Sequence, residues 1–98
     1  MELTAKQRAA LRSMANGLPV VLTVGKEGIS EATIKEAYDA LQARELIKCA
    51  VGQSAPLTAR EAASALCERT GAQPVQAIGR KFVLYRRNDK EPKIEIEV

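Results

Sequence analysis

The sequence predicts a two-layer α/β domain with the element order αβαβαββ, and three observations lead there. The chain has 98 residues, enough for one hydrophobic core and too few for two. Amphipathic helical stripes alternate with short period-two apolar runs, and a strand, helix and strand in succession imply a parallel pair joined by a crossover. Right-handed crossovers then carry both later helices to one face of a four-stranded sheet.

Composition narrows the class. Apolar residues make up 46% and charged residues 28%, the balance of a globular domain and not of a disordered one. The longest apolar run, residues 18–24, is too short to cross a bilayer, and no signal-peptide pattern opens the chain, so a cytoplasmic location and no membrane partner are expected. With no histidine and two cysteines, Cys49 and Cys67, outside any C-x-x-C pair, no metal site, no cofactor and no catalytic residues are expected. Both cysteines read as small core hydrophobes.

The first helix begins at Thr4, with Gln7 three residues on to complete a capping box, and stops at Asn16-Gly17. Its apolar face is expected at Leu3, Ala10, Leu11 and Met14. Arg8 and Arg12 lie one helical turn apart, with Lys6 on the other flank and no acidic residue between Glu2 and Glu27.

Pro19 opens the first strand, which places Val20, Leu22 and Val24 on the core face, opposite Val21 and Thr23. The strand runs into Gly25-Lys26-Glu27-Gly28 and then a helix start. That arrangement suits an anion, because glycines let the backbone approach a ligand and a helix N-terminus presents unpaired N–H groups. Lys26 adds a positive charge, but a G-x-x-G spacing alone is weakly specific and also fits a plain strand-to-helix turn.

The second helix takes Ser30 as N-cap, Glu31 in its first turn, and Ile29 and Ile34 as a hydrophobic staple. Ile34, Ala37, Tyr38 and Leu41 are its expected buried stripe, which makes Tyr38 a core ring. Residues 46–51 form the next strand, with Ile47, Cys49 and Val51 alternating against Leu46, Lys48 and Ala50. After a loop at 52–56, Thr58 and Glu61 cap an alanine-rich helix with Ala59, Ala62, Ala63, Leu66 and Cys67 on its apolar side, ended by Gly71. Residues 74–78 and 81–86 read as a hairpin around Gly79-Arg80.

Charge is unevenly distributed. The net charge is +3, yet residues 88–98 hold Asp89, Glu91, Glu95 and Glu97 against Lys90 and Lys93, leaving a body with 13 basic and 8 acidic residues. A basic body favours a polyanionic partner. The domain is therefore expected over residues 1–87 and a separate tail over 88–98, either strand-like from the alternation of Ile94, Ile96 and Val98, or disordered.

Four motifs resemble one family. L-T-A-K-Q-R-A-A-L-R at the start, P-V-V-L-T-V-G-K-E-G-I-S-E in the middle, E-L-I-K at residues 45–48, and V-Q-A-I-G-R-K-F-V-L-Y-R at the end are similar to the YhbY-type proteins of the CRM (chloroplast RNA splicing and ribosome maturation) group, in order and spacing from Leu3 to Arg86. The resemblance implies strand order 1-2-4-3, as in the C-terminal domain of the third bacterial translation initiation factor. It implies RNA as the partner, with bacterial relatives associating with precursors of the large ribosomal subunit. It also implies, by position, RNA contacts at Gly25, Lys26 and Gly28, at Lys6, Arg8 and Arg12, and at Arg80 and Arg86. Glu27 and the acidic tail depart from the basic pattern, since a carboxylate beside a phosphate repels it.

The physical reading is phosphate-backbone contact with structured RNA by a monomer, with little base stacking because aromatic residues are few. Two other classes are considered beside it. One is a protein-interaction module using an exposed sheet face at Val21, Leu46 and Val83, or the strand from Ile94 to Val98. The other is an enzyme using the cysteines, for which no histidine or paired carboxylate site is at hand.

Overall fold

A computed structural model of the chain describes residues 3–94. The order is α1 (Ala5–Ala15), β1 (Val20–Val24), α2 (Glu31–Arg44), β2 (Leu46–Val51), α3 (Ala59–Thr70), β3 (Gln73–Ile78) and β4 (Lys81–Tyr85). The strands form one sheet in the order β1-β2-β4-β3. β1 and β2 are parallel, whereas β2 with β4 and β3 with β4 are antiparallel. Fold class, element order and strand order are as expected.

Each helix starts where its cap says it should. Thr4, Ser30 and Thr58 accept hydrogen bonds from the backbone three residues on, and the side chains of Gln7, Thr33 and Glu61 in turn accept the N–H of the cap residue. Each box satisfies two amides that a helix start leaves open. Gly71 ends α3 with φ 79, the left-handed turn that glycine adopts without Cβ strain. Asn16 ends α1 differently, with right-handed dihedrals, so the Asn-Gly pair stops that helix without a left-handed cap.

Alternation along β2 and β4 builds two cores. Ile47, Cys49, Val51, Phe82 and Leu84 meet α2 and α3 on one face, where Ala37, Leu41, Ala62, Ala63 and Leu66 cover them. Leu46, Val75, Val83 and Tyr85 meet Leu3, Leu11 and Ala15 on the other. α1 is thus a third layer, added to the two that the crossovers produce. The expected exposed sheet face is largely covered by it: Leu46 and Val83 are each 4% exposed, which removes the surface assigned to a protein partner.

Three details of side-chain placement differ from the sequence pattern. In α1 the inward face is Gln7, Leu11 and Ala15, while Met14 is exposed and so is Ala10. Gln7 can be buried because its amide oxygen accepts the Thr4 N–H at 2.9 Å, so no lone polar atom is stranded. In β1 the register shifts between Val20 and Leu22, which leaves Val20 exposed and turns Val21 toward the core. In α2, Tyr38 lies at the margin of the stripe and is 44% exposed.

The link from α2 to β2 is the most constrained point of the chain. Glu45 caps α2 at φ 64, its N–H donating to the Leu41 carbonyl at 2.8 Å and its own carbonyl accepting the Arg86 N–H at 2.9 Å. Its side chain is fully buried. The carboxylate accepts backbone N–H groups from Asn88 at 2.7 Å, from Ile94 at 2.7 Å and from Lys93. Residues 88–94 therefore turn back onto the domain as an irregular strap, and Ile94 packs on the α1-side core. The alternation read at 94–98 lies, beyond Ile94, outside the described residues.

Burial pushes the Cys49 thiol up to about 12 and the Cys67 thiol up to about 11, with Cys67 and Glu36 adding smaller repulsions on Cys49. Both are neutral thiols at physiological pH, the opposite of a nucleophile's environment. Among the described residues no helix is long and apolar enough to cross a membrane.

Glu45→Gln keeps the shape but offers one acceptor oxygen in place of two, so it should cost about 2–3 kcal/mol, the scale of hydrogen bonds to a charged group. Amide exchange at Asn88, Lys93 and Ile94 should accelerate more than exchange in the helices. Unchanged exchange at those three amides would show that the carboxylate does not hold the strap.

Candidate functional site

Three connections meet where β1 and β2 end. The Gly52 N–H donates to the Val24 carbonyl at 2.8 Å and the Val51 N–H to the Arg80 carbonyl at 2.7 Å, which sets the loop after β1, the loop after β2 and the β3–β4 turn side by side. Gly79 takes φ 59 at that turn, a left-handed value suited to a two-residue hairpin. Lys26 and Arg80 are brought to this same end of the sheet. Both are exposed, and neither forms an ion pair among the described residues.

Gly25 and Gly28 have different jobs. The Gly28 N–H closes a tight turn onto the Gly25 carbonyl at 3.0 Å, so this amide is spent inside the loop. Gly28 is buried, has φ 71, and a Cβ there would lie 3.3 Å from Pro56 Cγ. Its glycine serves the packing of two loops. At Gly25 a Cβ would meet nothing within 4 Å, so that position is open to a ligand.

The start of α2 is also less bare than a helix N-terminus by itself. The Thr33 N–H goes to the Ser30 hydroxyl at 3.2 Å and the Ser30 N–H to the Thr33 hydroxyl at 3.3 Å. Glu31 in the first turn carries its own negative charge and is held by a two-pronged pair to Arg69 at 3.0 and 3.1 Å. Attraction for an anion at this end therefore falls mainly to the Lys26 and Arg80 side chains and the tip of the turn, and less to the helix dipole.

The remaining expected contacts are distributed over the molecule. Lys6, Arg8 and Arg12 lie on α1, on the other face of the sheet from α2 and α3. Arg8 Nε donates to the Pro74 carbonyl at 3.2 Å, which fixes the basic side of α1 over the β3 edge. Arg86 is separated from Arg80 by the length of β4, about 20 Å at 3.3 Å per residue. Its guanidinium donates to the Thr70 carbonyl at 3.1 Å and to the Gln42 side chain, and it stacks 4.4 Å from the centroid of the Tyr38 ring. The structure thus unites Gly25, Lys26, Gly28 and Arg80, sets Arg8 of α1 beside the β3 edge with Lys6 and Arg12 elsewhere on that helix, and puts Arg86 at the far end.

Two cations outside the expected set extend the basic area. Lys48 and Lys81 line a hollow of about 160 Å³ with Ala15, Asn16 and Ile78, on the part of the sheet that α1 leaves open. Alternation in β2 already put Lys48 opposite Ile47 and Cys49, so the signal was present in the sequence. What it lacked was the extent of α1's cover.

Comparison with known proteins gives a consistent result. The family model of the CRS1 / YhbY (CRM) domain matches residues 3–86. Probable RNA-binding protein YqeI of Bacillus subtilis is 40% identical over 94 residues, covering 96% of this chain and 98% of that protein. An RNA-binding protein of Haemophilus influenzae is 35% identical over 94 residues, covering 96% and 94% respectively. The solution structure of hypothetical protein SAV1595 from Staphylococcus aureus superposes with a TM-score of 0.82 at 40% identity, over 98% of this chain and all of that one.

The division of labour between the two glycines is open to a direct check. Gly28→Ala should lose about 1–2 kcal/mol in denaturant melts, the scale of forcing a Cβ into a left-handed conformation, whereas Gly25→Ala should leave stability within about 0.5 kcal/mol. Equal losses at both would contradict the assignment.

Proposed function

Because the chain belongs to the CRS1 / YhbY (CRM) domain family, we propose that it is an RNA-binding protein that grips the phosphate backbone of structured RNA. The observation that carries this reading is the convergence of Lys26 and Arg80 at one end of the sheet without a carboxylate partner among the described residues. Lys48 and Lys81 continue the positive surface across the open part of the sheet, and Arg8 and Arg12 continue it along α1. Phosphates attract such side chains and release condensed counterions as they bind, whatever the sequence.

Glu27 belongs to the same turn and is exposed. It weakens the local field and so biases contact toward Lys26 and Arg80, away from the turn's own amides. The names of the Bacillus and Haemophilus relatives support RNA as the polyanion. We further propose that the RNA is precursor ribosomal RNA during large-subunit assembly, bound in the cytoplasm by a monomer, in keeping with the resemblance to YhbY-type proteins, and that the protein has no catalytic role of its own. Crosslinking in cells followed by sequencing of the attached RNA tests this; reads drawn mainly from messenger RNA would remove the ribosomal assignment.

The electrostatic claim is tested by anisotropy titrations of a structured RNA over a salt series. Lys26→Ala combined with Arg80→Ala should weaken binding and flatten the plot of log affinity against log salt by roughly 1.5, the loss of two phosphate contacts. A slope equal to that of the unmodified protein would place the backbone contacts elsewhere.

A further inference from the structure

At the opposite end of the sheet from Lys26 and Arg80 lies a cavity of about 620 Å³, where β4 ends, β3 begins and the strap crosses. Its size falls within the roughly 300–1,000 Å³ of small-ligand sites. Glu45 builds one wall indirectly, since the amides it holds draw residues 87–90 over the opening. Phosphate-backbone contact at the loop end has no use for this hollow.

Its lining has a definite chemistry. Arg86, Arg87 and Lys90 stand against one acid, Asp89, which lies 3.7 Å from Arg87 and is largely exposed. Tyr38 presents a half-exposed ring with the Arg86 guanidinium over it at 4.4 Å. Arg86 is pinned by Thr70 and Gln42, so this aromatic and guanidinium pair is preformed and loses little freedom on binding. Tyr85 also borders the cavity, but its side chain is 1% exposed and packs into the α1-side core, on the other face of the sheet from Tyr38.

Cations and a flat π surface in one cleft match a ligand that is at once anionic and planar. We propose that this cavity takes a single unpaired nucleotide of the bound RNA, its base against Tyr38 and Arg86 and its phosphate beside Arg87 and Lys90. Aromatic rings and guanidinium planes are the usual platforms for splayed RNA bases. The proposal rests on the RNA reading and refines it: the loop end holds paired RNA by charge, and the far end requires an unpaired nucleotide about one strand length away.

The chain contains two tyrosines and no tryptophan, and both tyrosines line this cavity, so intrinsic fluorescence reports on it directly. Adenosine and uridine 5′-monophosphate should each change tyrosine emission saturably, while ribose 5-phosphate and inorganic phosphate should not. A stem RNA with one bulged nucleotide should bind at least about fivefold more tightly than the fully paired stem, the scale of one stacked base. Tyr38→Leu should abolish that preference and leave paired-stem affinity unchanged.

No response to either mononucleotide would overturn the site. A mononucleotide response with equal affinity for bulged and paired stems would overturn its assignment to RNA and make it a site for free nucleotides. Failure of both stems to bind at low salt would instead defeat the RNA reading, with the mononucleotide titration still deciding what the cavity takes.

Discussion

A buried carboxylate at the α2–β2 junction governs much of this molecule. Glu45 sits at a positive φ, a conformation that costs a non-glycine residue about 1–3 kcal/mol. It persists because every polar atom of the residue is engaged: N–H to Leu41, carbonyl to the Arg86 amide, and carboxylate to three amides of the strap. Backbone N–H groups accomplish here what a cationic side chain would do elsewhere, dispersing one negative charge over three dipoles. The consequence reaches both cores, since β2 leaves this point to become a central strand and Ile94 is delivered to the far side of the sheet.

From that junction the chain's ends take on distinct characters. Where β1 and β2 finish, backbone bonds between neighbouring loops cluster the turns and leave cations exposed; where β4 finishes, the strap and the C-terminal ends of two helices enclose a polar hollow. The first is an open charged edge suited to a polyanion's repetitive backbone. The second is concave, with a guanidinium already seated on a ring. A sheet one strand long keeps them about 20 Å apart, so a ligand touching both must be extended over at least that distance.

Family membership places the chain among proteins whose relatives are named for RNA binding, and the geometry adds how unevenly the basic residues contribute. Arg86 is committed to internal hydrogen bonds and to Tyr38, while Lys26 and Arg80 are not committed to any acidic partner among the described residues. Gly28, part of the loop motif, is occupied by loop packing against Pro56. The two glycines of the motif are thus set by different surroundings, one against a neighbouring loop and one in open space.

The sequence by itself determined what depends on near neighbours. Capping boxes at Thr4, Ser30 and Thr58, the left-handed stop at Gly71 and the alternation of Ile47, Cys49 and Val51 are legible because their partners lie within four residues, or because a strand's two faces are set by its own period. Strand order 1-2-4-3 and the family were legible too, through motif resemblance. Lys26 and Arg80 could be named one by one as cations. Only tertiary structure decided which of them meet, because that rests on backbone bonds between segments more than 25 residues apart, Val24 with Gly52 and Val51 with Arg80. The same reason covers what pattern alone misjudged or left unread: Leu46 and Val83 lie under a helix from the other end of the chain, Tyr38 is turned out beside Arg86, and Glu45, on which the pattern was silent, is buried by amides from residues 88–94. A side chain's environment is a sum over distant neighbours, and a local period contains no information about them.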